Sequence, residues 1–388
     1  MDFAFTSEED GLRAELRAFL AEALPDWWRG MFVDDERVMP LTREICQQLA
    51  ARGWLTMAWP EEHGGRGASV WMQTVLREEM WAHEEPRGPQ YMNLNYIGPL
   101  IMRFGTPDQQ AAFLPRMARG EVIFTQLFSE PDAGSDLASL RTRAEDRGDH
   151  FVVNGQKIWS SYADAPADFG LLLARTNPDV AKHAGISVFL LDMTTPGVTV
   201  RPIPTMAGPH EFNEVFFDDV VIPRAHLLHT QDGGWEVITT GLTFERVGIA
   251  RYARAAAVLE LAVEHANATG LARDPLVRRL LADLGARIEA ARLLSYRAVS
   301  IQARGEVPTV EASLSRMHNT VVEQLTGNVV MEVIGAGAQL RPGDPDAPLG
   351  SEPTRHWLRN VPTTVAAGTL EVQKNIVAQR GLGLPRPG

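Results

Sequence analysis

Three observations predict an α+β chain in the order helices, strands, helices. Apolar residues recur at helical spacing from Thr6 to about Ala118. From about Val122 to Leu228 the pattern changes to short β-rich runs separated by Gly, Pro and Asp. Helical periodicity returns at Gly234 and continues to the end. The changes of pattern place a helical domain over residues 1–121, a middle β domain over 122–230 and a second helical domain over 231–388.

In the first domain, Ser7-Glu-Glu-Asp10 has the form of a capping box and leads into Leu12, Leu16, Phe19 and Leu20, an i, i+4 stripe. Further helices are expected over 43–52, 70–83 and 107–117. Gly64-Gly-Arg-Gly67 lacks the Lys-Ser/Thr ending of a phosphate loop and is expected to be a connector. Glu85 to Pro99 is turn-rich, yet too apolar for a plain surface loop.

In the middle domain, strands are expected at 151–153, 170–174, 186–191, 198–200 and 215–217. Their spacing suits an antiparallel barrel or sandwich. Phe124 to Asp136 runs from an apolar strand into a turn carrying Pro131, Asp132 and Gly134, where backbone N–H groups and small hydroxyls approach a ligand closely. Asn154-Gly155 between alternating apolar residues signals a hairpin that presents Trp159, Ser160 and Ser161 on the returning strand. A flat aromatic followed by hydroxyls, opposite a turn of backbone donors, suits a flat heteroaromatic cofactor such as a flavin. A barrel-core aromatic is the alternative for Trp159. In the third domain the helices are interrupted by the Pro- and Gly-rich stretch Arg341 to Pro353.

With 388 residues and 45% hydrophobic content, the chain buries more than one core. A formal net charge of −12 argues against a nucleic-acid partner. The single cysteine, Cys46, excludes an intramolecular disulfide framework, and its place among Leu41, Ile45 and Leu49 predicts a buried, inert thiol. No signal-peptide pattern and no stretch long enough to span a bilayer occur, so a soluble, cytoplasmic setting without membrane is expected. Metal catalysis is not expected. His226 and His229 share i, i+3 spacing without a carboxylate partner, and no His-Glu-x-x-His occurs.

The segments 124–136 and 151–161 together resemble the flavin-binding middle domain of the acyl-CoA dehydrogenase family. The likeness extends over nearly the whole chain through Glu61-Glu-His-Gly-Gly-Arg-Gly67, Phe104-Gly-Thr-Pro-Asp-Gln-Gln110, Phe217-Asp-Asp-Val-Val-Ile-Pro223 and Gly368-Thr-Leu-Glu-Val-Gln373. It implies FAD as cofactor, an acyl-CoA thioester as substrate and an electron-transfer flavoprotein as electron acceptor. By the same resemblance Trp159 lies against the isoalloxazine and the Ser161 hydroxyl reaches its N5. Gln126, Phe128, Ser129, Gly134, Thr369 and Glu371 contact the cofactor. Ser135 meets the ribityl or pantetheine region, and Asn95 lines the acyl pocket beside Met92 and Ile97.

Oxidation across the α,β-bond of a thioester needs a base for the α-proton, a hydride acceptor and donors for the enolate oxygen. Many family members carry the base directly before the Gly-Thr of the C-terminal motif, but here that position is Ala367. A second family position lies on the helix opening the C-terminal domain, where this chain has Glu245 followed by Arg246. Ile238, Leu242, Glu245 and Ile249 fall at i, i+4, i+7 and i+11, on the apolar stripe of a helix that Asp232 is expected to cap. A carboxylate on such a stripe is either paired with a neighbouring arginine or raised in pKa toward a working base. Ala367 still supplies the backbone N–H that the resemblance implies for the oxyanion. With Val365 and Ala366 it leaves room for a bulky or branched acyl group and makes position 367, like Arg246, a substrate contact.

The sequence departs from the family pattern in three places. The stretch Thr269 to Arg279 lacks the Arg-x-x-Phe-Gly element, Ile334-Gly-Ala-Gly-Ala338 stands for Gly-Gly-x-Gly, and Asp132 replaces a glycine at a position where left-handed backbone is expected. With the Gly383-Leu-Pro-Arg386 ending these features are similar to bacterial two-gene dehydrogenases, some of which act on sterol side-chain thioesters. A homo-oligomer, or a heterotetramer with a second acyl-CoA dehydrogenase-like chain, is expected. Two alternatives stay open at this point: a partner subunit that completes the FAD site of another chain, and a related flavin oxidase or monooxygenase.

Overall fold

The structure, a computed structural model, describes residues 4–164, 167–208, 211–247, 250–341, 344–366 and 368–385, without the side chains of 242–247. Among the described residues the chain opens with α1 (Ser7–Ala23), α2 (Val38–Ala51), α3 (Val70–Ala82), α4 (Gln90–Met92), α5 (Gly98–Phe104) and α6 (Pro107–Ala118). Strands follow: β1 (Phe124–Leu127), β2 (Arg143–Asp146), β3 (His150–Ser161), β4 (Phe169–Arg175), β5 (Ile186–Asp192), β6 (Val198–Ile203), β7 (Phe212–Pro223) and β8 (Leu227–Leu228). The chain ends in α7 (Gly234–Val247), α8 (Arg251–Thr269), α9 (Pro275–Gln302), α10 (Val310–Ile334), α11 (Glu352–Asn360) and α12 (Leu370–Ile376). The expected α+β order is therefore present.

These elements form two compact units. One comprises Met31–Ala68 and Arg87–Glu245, the other Met1–Gly30, Ser69–Pro86 and Arg246–Gly388.

The first unit is built on a sheet of order β6-β7-β3-β2-β4-β5-β8, with β1 added beside β4. Most pairs are antiparallel, but β1 runs parallel to β4 and β2 meets β4 in parallel at Arg143 and Arg175. Its core gathers Leu127, Phe151, Leu172, Phe189, Phe217 and Ile222. Along β3 and β7 buried residues alternate with more exposed ones, while β4 and β5 are buried almost throughout. Helix α6 covers β1 and β4 through Phe113, whose ring stands edge-on to Phe124 and Phe169 at 5.5 and 5.1 Å.

Two local expectations are corrected in this unit. Asn154-Gly155 makes no hairpin: β3 is continuous from His150 to Ser161, and the pairing with β7 slips there as a bulge. The turn that reverses the chain lies between β2 and β3, where Gly148 takes a left-handed φ of 91°. Gly155 is required for a different reason, since a Cβ there would sit 2.7 Å from the Thr142 Cα. The turn-rich stretch from Glu85 is helical from Gln90, with a π-turn over Asn93–Ile97. Backbone groups in that stretch are satisfied internally, which permits its burial. Asn93 further ties it to β1, donating to the Val122 carbonyl at 2.6 Å and accepting from the Phe124 N–H at 3.1 Å. Cys46 is buried in α2 as expected.

The second unit packs α1, α3 and α8–α12. The capping box of α1 is Thr6 with Glu9, one residue earlier than the sequence pattern indicates. Leu12, Leu16, Phe19 and Leu20 form its buried stripe as expected. Between the helices lie buried charges. Glu78 accepts from the Tyr252 and Tyr296 hydroxyls at 2.7 and 2.6 Å and from Arg13 at 2.6 Å. Glu323 pairs with Arg251 at 2.6 Å and also with Arg254. Glu84 pairs with Arg359 at 2.5 Å. Burial pushes both carboxyls up, but the arginines outweigh it and hold them below the usual range, Glu323 at about 2.

His356 sits in this cluster with no exposed surface, and neither ring nitrogen has a hydrogen-bond partner. Burial, and then the Arg254 and Arg359 cations, outweigh Glu84 and Glu323 and lower its pKa from 6.5 to about 3. Because the folded value lies below the unfolded one, the neutral ring leaves stability intact above pH 6.5 and the protein loses it as the pH falls toward 3. His356→Leu is expected to flatten that loss. Relative to pH 7, wild type should lose on the order of 2–3 kcal/mol more than the variant at pH 4, read from urea unfolding curves at the two pH values.

Candidate active site

The residues expected to meet the cofactor in the middle domain come together at one end of β1 and β3. Strand β1 delivers Gln126 and, just beyond its end, Phe128 and Ser129, all half-buried. Strand β3 runs alongside. The Ile158 N–H donates to the Ser129 carbonyl at 2.9 Å, and the Thr125 hydroxyl donates to the Ser161 carbonyl at 2.7 Å. The turn after Ser129 is closed by a reciprocal pair of 3.0 Å bonds between Glu130 and Ala133. Gly134 and Ser135 beyond it are exposed, and a Cβ at Gly134 would meet nothing within 4 Å. Among the described residues, the N–H groups of Gly134 and Ser135 donate to no other part of the chain. Asp132 does not take the left-handed backbone expected of it.

Trp159 is 57% exposed and holds a φ of 61° within β3, inside the register slip between Lys157 and Ser160. Left-handed backbone at a bulky residue costs about 1–2 kcal/mol. Its ring stands edge-on to Phe212 at 6.1 Å and leaves its faces open, which excludes the barrel-core alternative. Ser161 is half-buried, and Ser160 is buried with its hydroxyl unpartnered. An open indole, exposed peptide donors and small side chains within one patch fit a flat heteroaromatic ring with hydrogen-bonding edges.

Beneath this patch lies a pair that the sequence reading did not single out. Lys157 has no exposed side-chain surface, and its Nζ donates to Glu130 Oε1 at 2.7 Å and to the Phe128 carbonyl at 3.0 Å. Glu130 also accepts the N–H groups of Arg141 and Thr142 at 2.6 and 2.9 Å. Burial lowers the Lys157 ammonium to about 8 despite Glu130. Burial raises Glu130, but Lys157 and the two N–H donors bring it below the usual range. The one signal in the sequence is a lysine on the inward-facing series of β3 that also holds Phe151 and Val153.

Asn95 is buried in the π-turn with Met92 and Ile97. The backbone of Glu245 belongs to α7, but its side chain and that of Arg246 lie outside the described residues, as do the side chains of Leu242 and Ile249 on the same stripe. Only Ile238 of that stripe is described, and it is buried. Asp232 accepts from the Thr176 hydroxyl at 2.5 Å, and its N–H donates to the Ser187 hydroxyl at 2.8 Å. It thus fastens the approach to α7 onto β4 and β5 instead of serving as the expected cap. Gly233 and Gly234 lie against Ile186 for the same reason, since a Cβ at Gly234 would fall 2.8 Å from the Ile186 carbonyl oxygen.

In the second unit, Ala367 lies outside the described residues, and its neighbours are held by α10. Arg316, buried on α10, donates to the Thr363 carbonyl at 3.1 Å and to the Ala366 carbonyl at 2.5 Å. Gly368 takes a φ of 88°, and a Cβ there would come 2.6 Å from the Gln373 amide nitrogen. The Thr369 hydroxyl caps α12 by accepting the Val372 N–H at 3.1 Å, and Glu371 is exposed. Among the described residues no group of three or more His, Cys, Asp or Glu is placed to hold a metal ion. No described helix is long and apolar enough to cross a membrane.

Family models match this chain from end to end. The acyl-CoA dehydrogenase N-terminal domain matches residues 6–121, the middle domain 125–220 and the C-terminal domain 232–382. The chain belongs to the acyl-CoA dehydrogenase family. Among its relatives is the acyl-CoA dehydrogenase FadE26 of Mycobacterium tuberculosis, 34% identical over 402 residues that span 100% of this chain and 99% of the relative. Acyl-CoA dehydrogenase IpdE1 of the same organism is 38% identical over 88% of this chain and 87% of its own length. Two solved structures share the fold along the whole of both chains. The steroid acyl-CoA dehydrogenase Tcur3481-Tcur3483 superposes with a TM-score of 0.93 at 33% identity. The ChsE4-ChsE5 complex of M. tuberculosis gives a TM-score of 0.91 at 34% identity. This chain is likewise an acyl-CoA dehydrogenase enzyme.

Arg316→Met removes two charge-assisted bonds to backbone carbonyls, that of Thr363 buried, and is expected to destabilise the protein by about 2–3 kcal/mol. Amide exchange across 363–366 should quicken beyond the change seen in α10. Urea unfolding together with hydrogen exchange reads both effects.

Proposed function

We propose that the protein is a cytoplasmic, FAD-dependent dehydrogenase that converts an acyl-CoA thioester to its trans-2-enoyl-CoA, with Glu245 as the base. The family assignment supports the reaction class. The observation that carries the residue assignment is the exchange visible along the chain: an alanine at 367, where many members have their glutamate, and a glutamate at 245 on a helix that opens the C-terminal region.

Bound FAD supplies the acceptor for the β-hydride. The remaining work falls to side chains and peptide groups of this chain. Trp159 offers a face for the ring, and Gln126, Phe128, Ser129, Gly134, Ser135 and Ser161 line the patch beside it. Thr369 and Glu371 are proposed to serve the same cofactor from the C-terminal motif. The Ala367 N–H stabilises the thioester oxygen as the α-proton leaves for Glu245, and Arg246 orients the substrate. Asn95 belongs to the acyl pocket. Small residues at 365–367 favour a bulky acyl group, and the steroid dehydrogenases among the relatives support a sterol-derived thioester.

The two-chain character of those relatives supports a heteromer with a second acyl-CoA dehydrogenase-like chain, and an electron-transfer flavoprotein is the proposed electron acceptor. The altered elements at 269–279 and 334–338 favour the heteromer over a self-sufficient homo-oligomer.

Glu245→Gln is expected to lower kcat by about 10²–10⁴-fold while FAD content stays at the wild-type level. Anaerobic titration with short, branched and sterol-derived acyl-CoAs, followed by the visible spectrum, reads both. Wild-type turnover in the variant would sink the assignment. A chain that is colourless alone and yellow when co-expressed with a second subunit would establish the heteromer.

A further inference from the structure

We infer that the buried Lys157–Glu130 pair is a positioning device that presets the flavin patch, aiming the Ser129 peptide donor outward and holding Trp159 in its left-handed backbone. The inference rests on the assignment of that patch to the flavin.

An ammonium with no exposed surface is a poor choice for stability alone. A buried ion pair replaced by apolar residues of similar volume is often neutral or stabilising. What the ammonium does here, and a methyl group could not, is to bond two acceptors that belong to the turn. One is the Phe128 carbonyl at 3.0 Å and the other is Glu130 at 2.7 Å. In a planar trans peptide the N–H points opposite to the C=O. Drawing the Phe128 carbonyl inward therefore turns the Ser129 N–H away from Lys157. The next carbonyl, that of Ser129, is fixed by Ile158, the residue after Lys157. The far side of the turn is clamped because Glu130 also accepts from Arg141 and Thr142.

The same clamp lies immediately before the strained residue. Trp159 is bounded on one side by Lys157 and Ile158, both tied to the turn. On the other side the Ser160 carbonyl accepts from Asn213 at 3.1 Å and Ser160 pairs with Asn213 in β7. With both sides fixed, the positive φ at Trp159 persists. Without the clamp, residues 157–159 can return to ordinary extended backbone, which carries the indole away from its present direction.

The test uses the full-length protein, with its partner subunit if the chain alone is colourless, and FAD as the probe. Lys157→Met with Glu130→Leu removes the charges together and avoids an unpaired buried ion. Its apoprotein is expected to unfold several degrees below wild type, because the Arg141 and Thr142 N–H groups lose their acceptor, while remaining folded at the assay temperature. The Kd for FAD should rise by about ten-fold or more, and the fine structure of the visible flavin band should broaden. An unchanged Kd and spectrum would overturn the inference, as would a Kd restored in step with stability when a distant stabilising substitution is added. Glu130→Gln is the milder variant. It keeps an acceptor for Lys157 while removing the charge, so it serves if the double variant does not fold. A Kd raised by about three-fold or more with an altered band supports the inference, and wild-type values overturn it. Trp159→Ala in the otherwise unchanged protein tests the flavin assignment by itself: a wild-type spectrum there defeats the assignment and leaves the clamp without a role.

Discussion

An ammonium group without access to water must find its acceptors inside the protein, and at Lys157 this constraint organises the middle of the chain. The acceptors are the carboxylate of Glu130, in the turn after β1, and the carbonyl of Phe128, just beyond the strand. Meeting them fixes how the turn after β1 lies on β3. Because Glu130 is bonded in addition to two N–H groups at the entry to β2, one buried carboxylate joins three segments distant in sequence. The exposed side of the same arrangement is a patch of peptide donors, small residues and an open indole. Interior electrostatics and surface recognition are thus two faces of one local structure.

The helical unit solves a similar problem by other means. Its interhelical spaces hold Glu78, Glu84 and Glu323 against arginines and tyrosine hydroxyls, so the helices are oriented by bonds of fixed direction as well as by apolar contact. His356 is the member of the set that finds no partner. Burial first, and then the neighbouring cations, disfavour its charged form. Arg316 extends the same use of buried guanidinium groups to the segment before Ala367, bonding two of its carbonyls. In both units, then, backbone near the proposed chemistry is held by buried cations bonded to carbonyl oxygens.

In the proposed mechanism, the glutamate at 245 and the alanine at 367 separate proton abstraction from oxyanion stabilisation. A peptide N–H survives any substitution except proline, so the oxyanion donor proposed at 367 does not depend on the side chain there. Proton abstraction needs a carboxylate and has to come from elsewhere. The proposed base, Glu245, belongs to α7, whose approach is bonded to β4 and β5 through Asp232, Thr176 and Ser187.

Local pattern by itself determined the order of elements, the main strands, the α1 stripe, the burial of Cys46 and the segments that mark the family, because each depends on periodicity or on residue type at short spacing. Trp159 with its neighbouring hydroxyls was legible for the same reason. The tertiary structure decided the rest. Asn154-Gly155 has the composition of a hairpin turn, yet it is a bulge, since the approach of Thr142 selects the glycine and β7 continues the pairing beyond it. The stretch from Glu85 lacks helical signals but winds into helix in a buried place where its backbone groups need internal partners. Asp232 looks like a cap and instead bonds two hydroxyls on neighbouring strands. Glu130 and Arg316 had no distinguishing local pattern, and Lys157 had only its place on the inward-facing series of β3. Their roles arise from burial and from acceptors that only the folded chain brings within reach.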